Sequence, residues 1–290
     1  VIGRGKDENF IASDIPAILE HTRQLIFLES RQMAVVTQQG VKITTIEGNP
    51  VEIQLSSVAW DPVSAEKGEY RHFMQKEIHE QVRSLTDTLA GRVNFVEGTI
   101  RLPELNLNPE KAININKIVL TACATASHAG MVGRILIERI ARIPAVMEIA
   151  SEFRYSDPIV DEHTTVIAIS QSGETADTLA AMEEARKKGS TIWSIVNAIG
   201  SQAMRVADGY ISMQTGPEIG VASTKAFTAP LVDLYMLAVL LADQRGTLPV
   251  KDRQRLVKDL SLVPELAGRC LDREDEVEET AELLKDSRDM

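Results

Sequence analysis

From residue 117 onward the sequence alternates between apolar, β-branched runs and segments rich in good helix formers. The apolar runs lie at 118–123, 144–149, 166–170, 191–196 and 209–213. The clearest helical segments lie at 131–141, 175–188 and 223–243. Repeated β–α alternation is typical of a mostly parallel sheet that is covered by helices on both faces. The sequence therefore predicts a doubly wound α/β domain with a five-stranded sheet.

The third apolar run ends in a turn that is rich in hydroxyl groups, the central turn, residues 170–175. It contains Ser170, Ser172 and Thr175, and a helical segment follows it. Ligands of such sheets bind beyond the carboxyl ends of the strands, and the N-terminus of a helix attracts anions. Two interpretations remain open: the hydroxyls bind a phosphate monoester, or they only cap the helix. Because Glu174 would repel a phosphate, a phosphate site requires its carboxylate to point away.

Two further turns carry hydroxyls to the start of a helix. The first loop, residues 123–130, follows the first apolar run, and the third loop, residues 218–225, precedes the last long helix. Each alone favours an ordinary capped turn. Three such turns at one sheet suit a polyol phosphate better. Nucleotide, nicotinamide and zinc-hydrolase functions lose their main support, because the sequence has no Walker loop, no Gly-x-Gly-x-x-Gly turn and no His-Glu-x-x-His helix.

Composition excludes several classes of partner. A formal charge of −11 leaves no basic surface for nucleic acid. No signal peptide is visible, and no segment is predicted to cross a membrane. Cys123 and Cys270 form neither a disulfide framework nor a metal cluster, and His72 and His79 lack further ligands. We therefore predict a cytoplasmic protein with no metal and no cofactor.

The flanking regions differ from the central domain. Residues 1–58 are β-rich, with strands predicted at 23–28, 33–37 and 41–46 and a short helix at 15–22. These strands are too few for an independently stable domain. The chain is therefore expected to be a piece of a longer protein. An amphipathic helix is predicted around 71–81, another around 256–266, and the acidic run 272–286 is expected to be solvated.

Several ordered motifs resemble one known family. They are Ser-Gln-Ser-Gly-Glu-Thr-Ala-Asp-Thr at 170–178, Glu-Ile-Ala-Ser-Glu-Phe-Arg-Tyr at 148–155 and Glu-Ile-Gly-Val-Ala-Ser-Thr-Lys-Ala-Phe-Thr at 218–228. Residues 70–81 resemble the interdomain connector of the same family, and residues 8–14 resemble a late segment of its glutaminase domain. The family is that of the glutamine–fructose-6-phosphate aminotransferases, also called glucosamine-6-phosphate synthases.

The resemblance implies a division of the chain into four parts. Residues 1–60 would end a glutaminase-like domain, residues 61–92 would be the connector, residues 93–246 would form a first sugar-isomerase (SIS) domain, and residues 247–290 would lead to a second one. It further implies a homodimer that makes glucosamine 6-phosphate from fructose 6-phosphate and glutamine. The cysteine nucleophile and the catalytic lysine, glutamate and histidine of the family would lie outside this chain. We therefore assign no catalytic residue and expect the isolated chain to be inactive.

The same resemblance implies which residues bind the sugar phosphate. The phosphate would be held by Ser170, Gln171, Ser172 and Thr175. The sugar of fructose 6-phosphate or glucosamine 6-phosphate would be contacted by Thr125, Val221 and Ser223.

Two departures from the family pattern fall in the first loop. The family has Cys-Gly-Thr-Ser, whereas this chain has Cys123-Ala124-Thr125-Ala126. Ala126 lacks the hydroxyl that would touch the substrate. Ala124 would be strained if its backbone needs the positive φ that glycine tolerates. Within the connector, Val82 replaces the usual proline.

Two other kinds of protein that contain a sugar-isomerase domain are alternatives to the aminotransferase. One is a regulator that senses a sugar phosphate, although residues 1–92 lack the basic charge and helix-turn-helix of such proteins. The other is a single-domain ketose–aldose isomerase, which would not need the β-rich front. The apolar stretch 231–241 also leaves two possibilities open, because it suits either a partner subunit or the core.

Overall fold

The computed structural model describes residues 1–288 except 14, 30 and 58–66. The predicted boundary between residues 60 and 61 and the start of the connector lie outside the described residues. Three regions follow one another along the chain: a β-rich front, a pair of connector helices, and an α/β domain with a helical tail.

A five-stranded parallel sheet forms the centre of the α/β domain. Its order is β11-β10-β12-β13-β14. The strands are β10 (Lys117–Ala122), β11 (Ala145–Ile149), β12 (Thr164–Ser170), β13 (Thr191–Val196) and β14 (Gly209–Ser212). Every neighbouring pair is parallel. The predicted fold class is confirmed, and each strand lies within two residues of its predicted position.

Helices cover both faces of this sheet. They are α4 (Ala124–Leu136, continued by a π-helical segment Ile137–Ala141), α5 (Ala150–Phe153), α6 (Ala176–Lys187), α7 (Gln202–Val206) and α8 (Lys225–Gln244). Successive side chains of a strand point to opposite faces. Accordingly, Ile167 and Ile169 of β12 pack with the α8 side, whereas Val166 and Ala168 pack with the α6 side. Burial on both faces explains why the middle of β12, residues 166–169, is entirely apolar.

Helix α8 is long and apolar enough to cross a membrane by length and composition, whereas no such segment was predicted from the sequence. However, 72% of its apolar window is buried inside the protein. Leu234, Leu237 and Leu241 are fully buried in the core. The stretch 231–241 therefore fills the core and does not offer a partner surface.

The front consists of small antiparallel sheets. One has the order β2-β1-β3-β7 and the other the order β4-β5-β6. The strands are β1 (Ile2–Arg4), β2 (Asn9–Ile11), β3 (Gln24–Ile26), β4 (Gln32–Thr37), β5 (Gly40–Thr45), β6 (Pro50–Val51) and β7 (Ser56–Ser57). The helix predicted at 15–22 is wrong, because only a 3-10 turn, Pro16–Ile18, forms there. Burial of Ile15, Ile18 and Leu19 against Leu25 bends the chain before a helix can extend.

The remaining helices flank the α/β domain. They are α1 (Phe73–His79), α2 (Gln81–Leu89), α3 (Pro109–Asn114), α9 (Val250–Leu260), α10 (Val263–Leu271) and α11 (Glu274–Leu284). A short hairpin, β8 (Val93–Asn94) and β9 (Thr99–Ile100), follows the connector. The helix predicted around 256–266 is two helices, since Pro264 favours the first turn of a new one. Helix α11 has no buried residue, as expected for the acidic run.

The junction between β10 and α4 contains a left-handed residue. Ala124, the first residue of α4, has φ 48°. A residue with a Cβ is strained there, whereas glycine is not. The structure therefore confirms the expected strain at the position where the family pattern has glycine.

A buried contact between Arg92 and Asp233 links the connector to the core. Asp233 of α8 is 0% exposed, and one of its oxygens lies 3.2 Å from Nη1 of Arg92. Its second oxygen, Oδ2, has no hydrogen-bond partner within the described structure. Burial raises the pKa of Asp233 to about 8, against the opposing charge of Arg92.

We predict that Ala124→Gly stabilises the protein by about 0.5–1 kcal/mol, because it relieves the strain despite the greater freedom of the unfolded chain. The matched control is Ala126→Gly in the same helix, which has no such strain and should cost about 1 kcal/mol. Denaturant unfolding measures both. If both variants lose stability equally, Ala124 is not strained.

We predict that the free energy of unfolding falls as the pH rises from about 4 towards 8. In this window the folded protein keeps the proton of Asp233, whereas the unfolded chain, with a carboxyl pKa of about 4, has lost it. The slope from this group is about 1.4 kcal/mol per pH unit. Asp233→Asn should remove that slope, and Asp252→Asn on the surface should keep it. Thermal melts across the pH range decide, and an unchanged slope in Asp233→Asn would contradict the assignment.

Candidate functional site

An open pocket lies at the carboxyl edge of the sheet, between the ends of β10 and β12. The strand order reverses at this point, because β11 lies on the far side of β10 and β12 lies next to it. Such a switch point opens a crevice between neighbouring strand ends. The pocket has a volume of about 270 Å³. All seven residues predicted to bind a sugar phosphate line it: Thr125, Ser170, Gln171, Ser172, Thr175, Val221 and Ser223.

The central turn is fixed by its own hydroxyl groups. Ser170 Oγ accepts a hydrogen bond from Gly173 N at 3.0 Å and lies 3.1 Å from Thr175 Oγ1. Ser172 Oγ accepts from Glu174 N at 3.2 Å. Gly173 has φ 65°, and a Cβ there would lie 2.1 Å from Ser201 Oγ, so glycine is required by both conformation and space. Within the turn one hydroxyl of the Ser170–Thr175 pair donates to the other, so this pair keeps one proton for a ligand, and Ser172 keeps its own.

The hydroxyl of Thr175 does not cap helix α6. Thr175 occupies the N-cap position of α6, yet no side chain caps that helix. Its hydroxyl contacts Ser170 instead. The first N–H groups of α6 therefore have no acceptor from the N-cap side chain, which is the arrangement that favours an anion.

Glu174 points away from the pocket, as a phosphate site requires. Its Oε1 accepts a hydrogen bond from Gln202 N at 2.8 Å, at the start of α7. The carboxylate thus complements the dipole of α7 and keeps its charge from the central turn.

The third loop is built around a buried carboxylate. Glu218 Oε1 accepts from Thr224 N at 2.9 Å and from Ala226 N at 3.0 Å, and Oε2 accepts from Ser223 Oγ at 3.0 Å. Glu218 therefore occupies N–H groups at this helix start, and they are not available to a ligand. Since the proton of Ser223 Oγ is donated to Glu218, this hydroxyl can only accept from a ligand. Val221 is fully exposed at the tip of the loop.

The first loop contributes less polarity than the other two. Thr125 is half-buried in the first turn of α4, and Ser127 Oγ donates to Ala124 O at 2.6 Å. Ala126 packs partly against the core and brings no hydroxyl to the pocket wall. A ligand hydroxyl at this wall therefore has Thr125 as its side-chain partner.

The structure adds Thr178 to the set that the sequence analysis named. Its side chain is 1% exposed and lines the pocket, and its hydroxyl has no partner among the described residues. A buried hydroxyl without a partner is costly unless a ligand or water satisfies it. Its position, three residues after Thr175 on the same helical face, is a signal that helical spacing could have given.

The described lining of the pocket contains few charged groups. Among the described residues that line it, Glu218 alone carries a formal charge, and its oxygens are committed to the third loop. No group of three or more His, Cys, Asp or Glu residues within the described parts could hold a metal ion. An anion in this pocket would thus be bound by hydroxyls, backbone N–H groups and the dipole of α6.

Comparison with known proteins agrees with this geometry. The model of the SIS domain matches residues 112–240. The glutamine–fructose-6-phosphate aminotransferase (isomerizing) of Symbiobacterium thermophilum is 48% identical over 284 residues, covering 98% of this chain and 47% of the relative. The protein of the same name from Clostridium tetani is 43% identical, covering 100% of this chain and 48% of the relative. The chain thus spans about half the length of the curated relatives it matches.

Solved structures give the same result. The C-terminal domain of glucosamine-fructose-6-phosphate aminotransferase from Francisella tularensis superposes with a TM-score of 0.72 at 33% identity, covering 76% of this chain and 61% of that chain. A putative phosphosugar isomerase from Clostridium difficile, at 19% identity and a TM-score of 0.60, shares the fold. The chain is therefore a SIS-domain protein that belongs, over nearly its whole length, with the glutamine–fructose-6-phosphate aminotransferases.

Proposed function

We propose that this chain is the sugar-phosphate-binding part of an enzyme that converts fructose 6-phosphate and glutamine to glucosamine 6-phosphate and glutamate. One observation carries the proposal: residues from three separate loops, each named from the sequence, line a single pocket at the switch point of the sheet. The names of the relatives that match nearly the whole chain support the same reaction.

In this proposal the central turn binds the phosphate. Ser172 donates its hydroxyl proton, and the Ser170–Thr175 pair donates the one proton that its internal hydrogen bond leaves. Gln171 lines the same wall, and the N-terminus of α6 favours the negative charge. The sugar then extends towards the other two loops. Thr125 and Ser223 bond its hydroxyls, and Val221 bounds it at the tip of the third loop.

The proposed organisation follows the resemblance. Residues 1–60 end a glutaminase-like domain, residues 61–92 connect it to the first SIS domain at 93–246, and residues 247–290 lead towards a second SIS domain. The chemistry of amide hydrolysis and isomerisation is assigned to parts outside this chain. The proposed setting is the cytoplasm, without a cofactor, nucleic acid or membrane as partner.

We further propose that the protein forms a homodimer through the outer face of α4. Met131, Val132 and Ile135 are exposed apolar residues on adjacent turns of this helix. A row of exposed apolar side chains is typical of a surface that another subunit covers. The core position of α8 leaves α4 as the better candidate.

Replacing Ser172 by Ala should weaken fructose 6-phosphate binding about tenfold or more, because a charge-assisted hydrogen bond is worth about 1.5–3 kcal/mol. Stability should change little, since the released Glu174 N–H is exposed to water. The matched control is Ser190→Ala, which removes a hydrogen bond to Asp161 O at the opposite edge of the sheet. It should lower stability and leave affinity unchanged. Calorimetric titration measures the affinity of both variants, and thermal melts measure their stability. Unchanged affinity in Ser172→Ala would contradict the assignment of the central turn to the phosphate.

The isolated chain should show neither glutaminase nor synthase activity. The proposal places the nucleophile and the catalytic lysine in other parts of the enzyme. Incubation with glutamine and fructose 6-phosphate should yield no glutamate or glucosamine 6-phosphate above background, while the same preparation binds fructose 6-phosphate. Turnover at a rate ordinary for purified enzymes would refute this division of labour.

Sedimentation at tens of micromolar should show a dimer. Ile135→Glu should convert it to monomer, because a buried unpaired charge is costly at an interface. The control is Ile159→Glu, a more exposed isoleucine in a loop outside α4, which should leave the dimer intact. A wild-type protein that sediments only as monomer would count against the proposed dimer.

A further inference from the structure

A buried carboxylate of the connector reaches the third loop from far away in the sequence. Glu77 lies in α1 and is 2% exposed. Its Oε1 accepts from Ile219 N at 2.6 Å and from Gly220 N at 3.0 Å, and its Oε2 lies 3.2 Å from Gly220 N. A carboxylate is buried without large cost only when its oxygens are hydrogen-bonded, so the contact serves both partners.

The contact lies immediately before the part of the loop that faces the pocket. Glu77 holds the backbone at 219–220, and Glu218 holds it again at 224–226. Between these two anchors Val221 and Ala222 are exposed and do not pack into the core. The position of the exposed segment is therefore set by the two anchors.

A second bond joins the connector to the end of the same loop. Lys225, which is 2% exposed, donates through Nζ to Glu80 Oε2 at 2.7 Å. Glu77 and Glu80 sit three residues apart at the end of α1. The connector thus binds the third loop on both sides of its exposed segment.

We propose that Glu77 is a positioning residue for the sugar: it holds the third loop at the distance from the central turn that a sugar phosphate needs. The inference rests on the proposed function, and it adds that the connector sets the affinity of the site. Glu77 contacts the loop assigned to the sugar and not the turn assigned to the phosphate. A change at Glu77 should therefore affect sugar binding and not phosphate binding.

The contact can also be tested by a substitution in the third loop, at Gly220. A Cβ on Gly220 would lie 2.5 Å from Glu77 Oε2, while its φ lies outside the left-handed region. Gly220→Ala therefore disturbs the carboxylate without straining its own backbone. Removal of the carboxylate in Glu77→Ala makes room for the same methyl group.

The experiment measures the affinity of Glu77→Gln for two ligands, fructose 6-phosphate and inorganic phosphate. The sugar phosphate should bind about tenfold more weakly, because the loop loses charge-assisted bonds, whereas inorganic phosphate should bind within about twofold of wild type. Amide exchange at Ile219 and Gly220, measured without ligand, should accelerate. The control is Asp87→Asn, which neutralises a carboxylate on α2 that pairs with Arg83 on the surface, and it should change none of the three measurements.

A double-mutant cycle covers the case in which Glu77→Gln folds poorly. Gly220→Ala and Glu77→Ala should each weaken sugar-phosphate binding, and their combination should be no worse than Glu77→Ala alone. Strictly additive losses would show that the two residues do not act through one contact.

Several results would overturn the inference. Equal weakening of both ligands would mean that Glu77 only stabilises the fold, and unchanged sugar-phosphate affinity would mean that the contact does not position the loop. If wild type binds neither ligand, the proposed function fails and the positioning role fails with it. Wild-type binding that Ser172→Ala weakens but Glu77→Gln does not would retain the proposed function and reject this inference alone.

Discussion

The pairing of β10 with β12 is the constraint from which the site follows. Because β11 pairs on the other side of β10, the connections that leave the two neighbouring strands cross to opposite faces of the sheet. Their helices, α4 and α6, separate as they leave, and the crevice between their first turns becomes the pocket. No single loop could enclose such a site. The apolar burial that fixes β12 at the centre of the sheet thereby also fixes where a ligand can enter.

Carboxylates shape the loops around this pocket through backbone N–H groups. Glu174 accepts a hydrogen bond from the start of α7, and Glu218 accepts one from the start of α8. Glu77 accepts one from the turn before α8. Each of these acids forms charge-assisted bonds that a neutral side chain would make less strongly. The negative charges are thus committed to the scaffold, and the surface left for the ligand consists of hydroxyls and amides. This separation explains how an acidic protein can present a pocket suited to an anion.

The sheet could be predicted from the sequence for physical reasons that are local, whereas the seven residues that line the pocket were named from the family resemblance. A parallel strand that is buried on both faces is mostly apolar, so β12 and β13 were visible as short, largely apolar runs. The failures have long-range causes. The segment 15–22 has helical composition, but packing of Ile18 under β3 limits it to one turn. Glu77 and Ile219 lie 142 positions apart, and no spacing rule connects them.

The shared contact of Ser170 and Thr175 bears on which form of a phosphate the pocket can accept. At 3.1 Å one hydroxyl donates to the other, so the pair presents one proton and free lone pairs to the pocket. A site built from lysine or arginine side chains could only donate. A hydroxyl group can rotate, so it can accept a hydrogen bond from the ligand as well as donate one. Under the proposed function, the pocket would therefore suit both the monoanion and the dianion of a phosphate ester, which interconvert near pH 6.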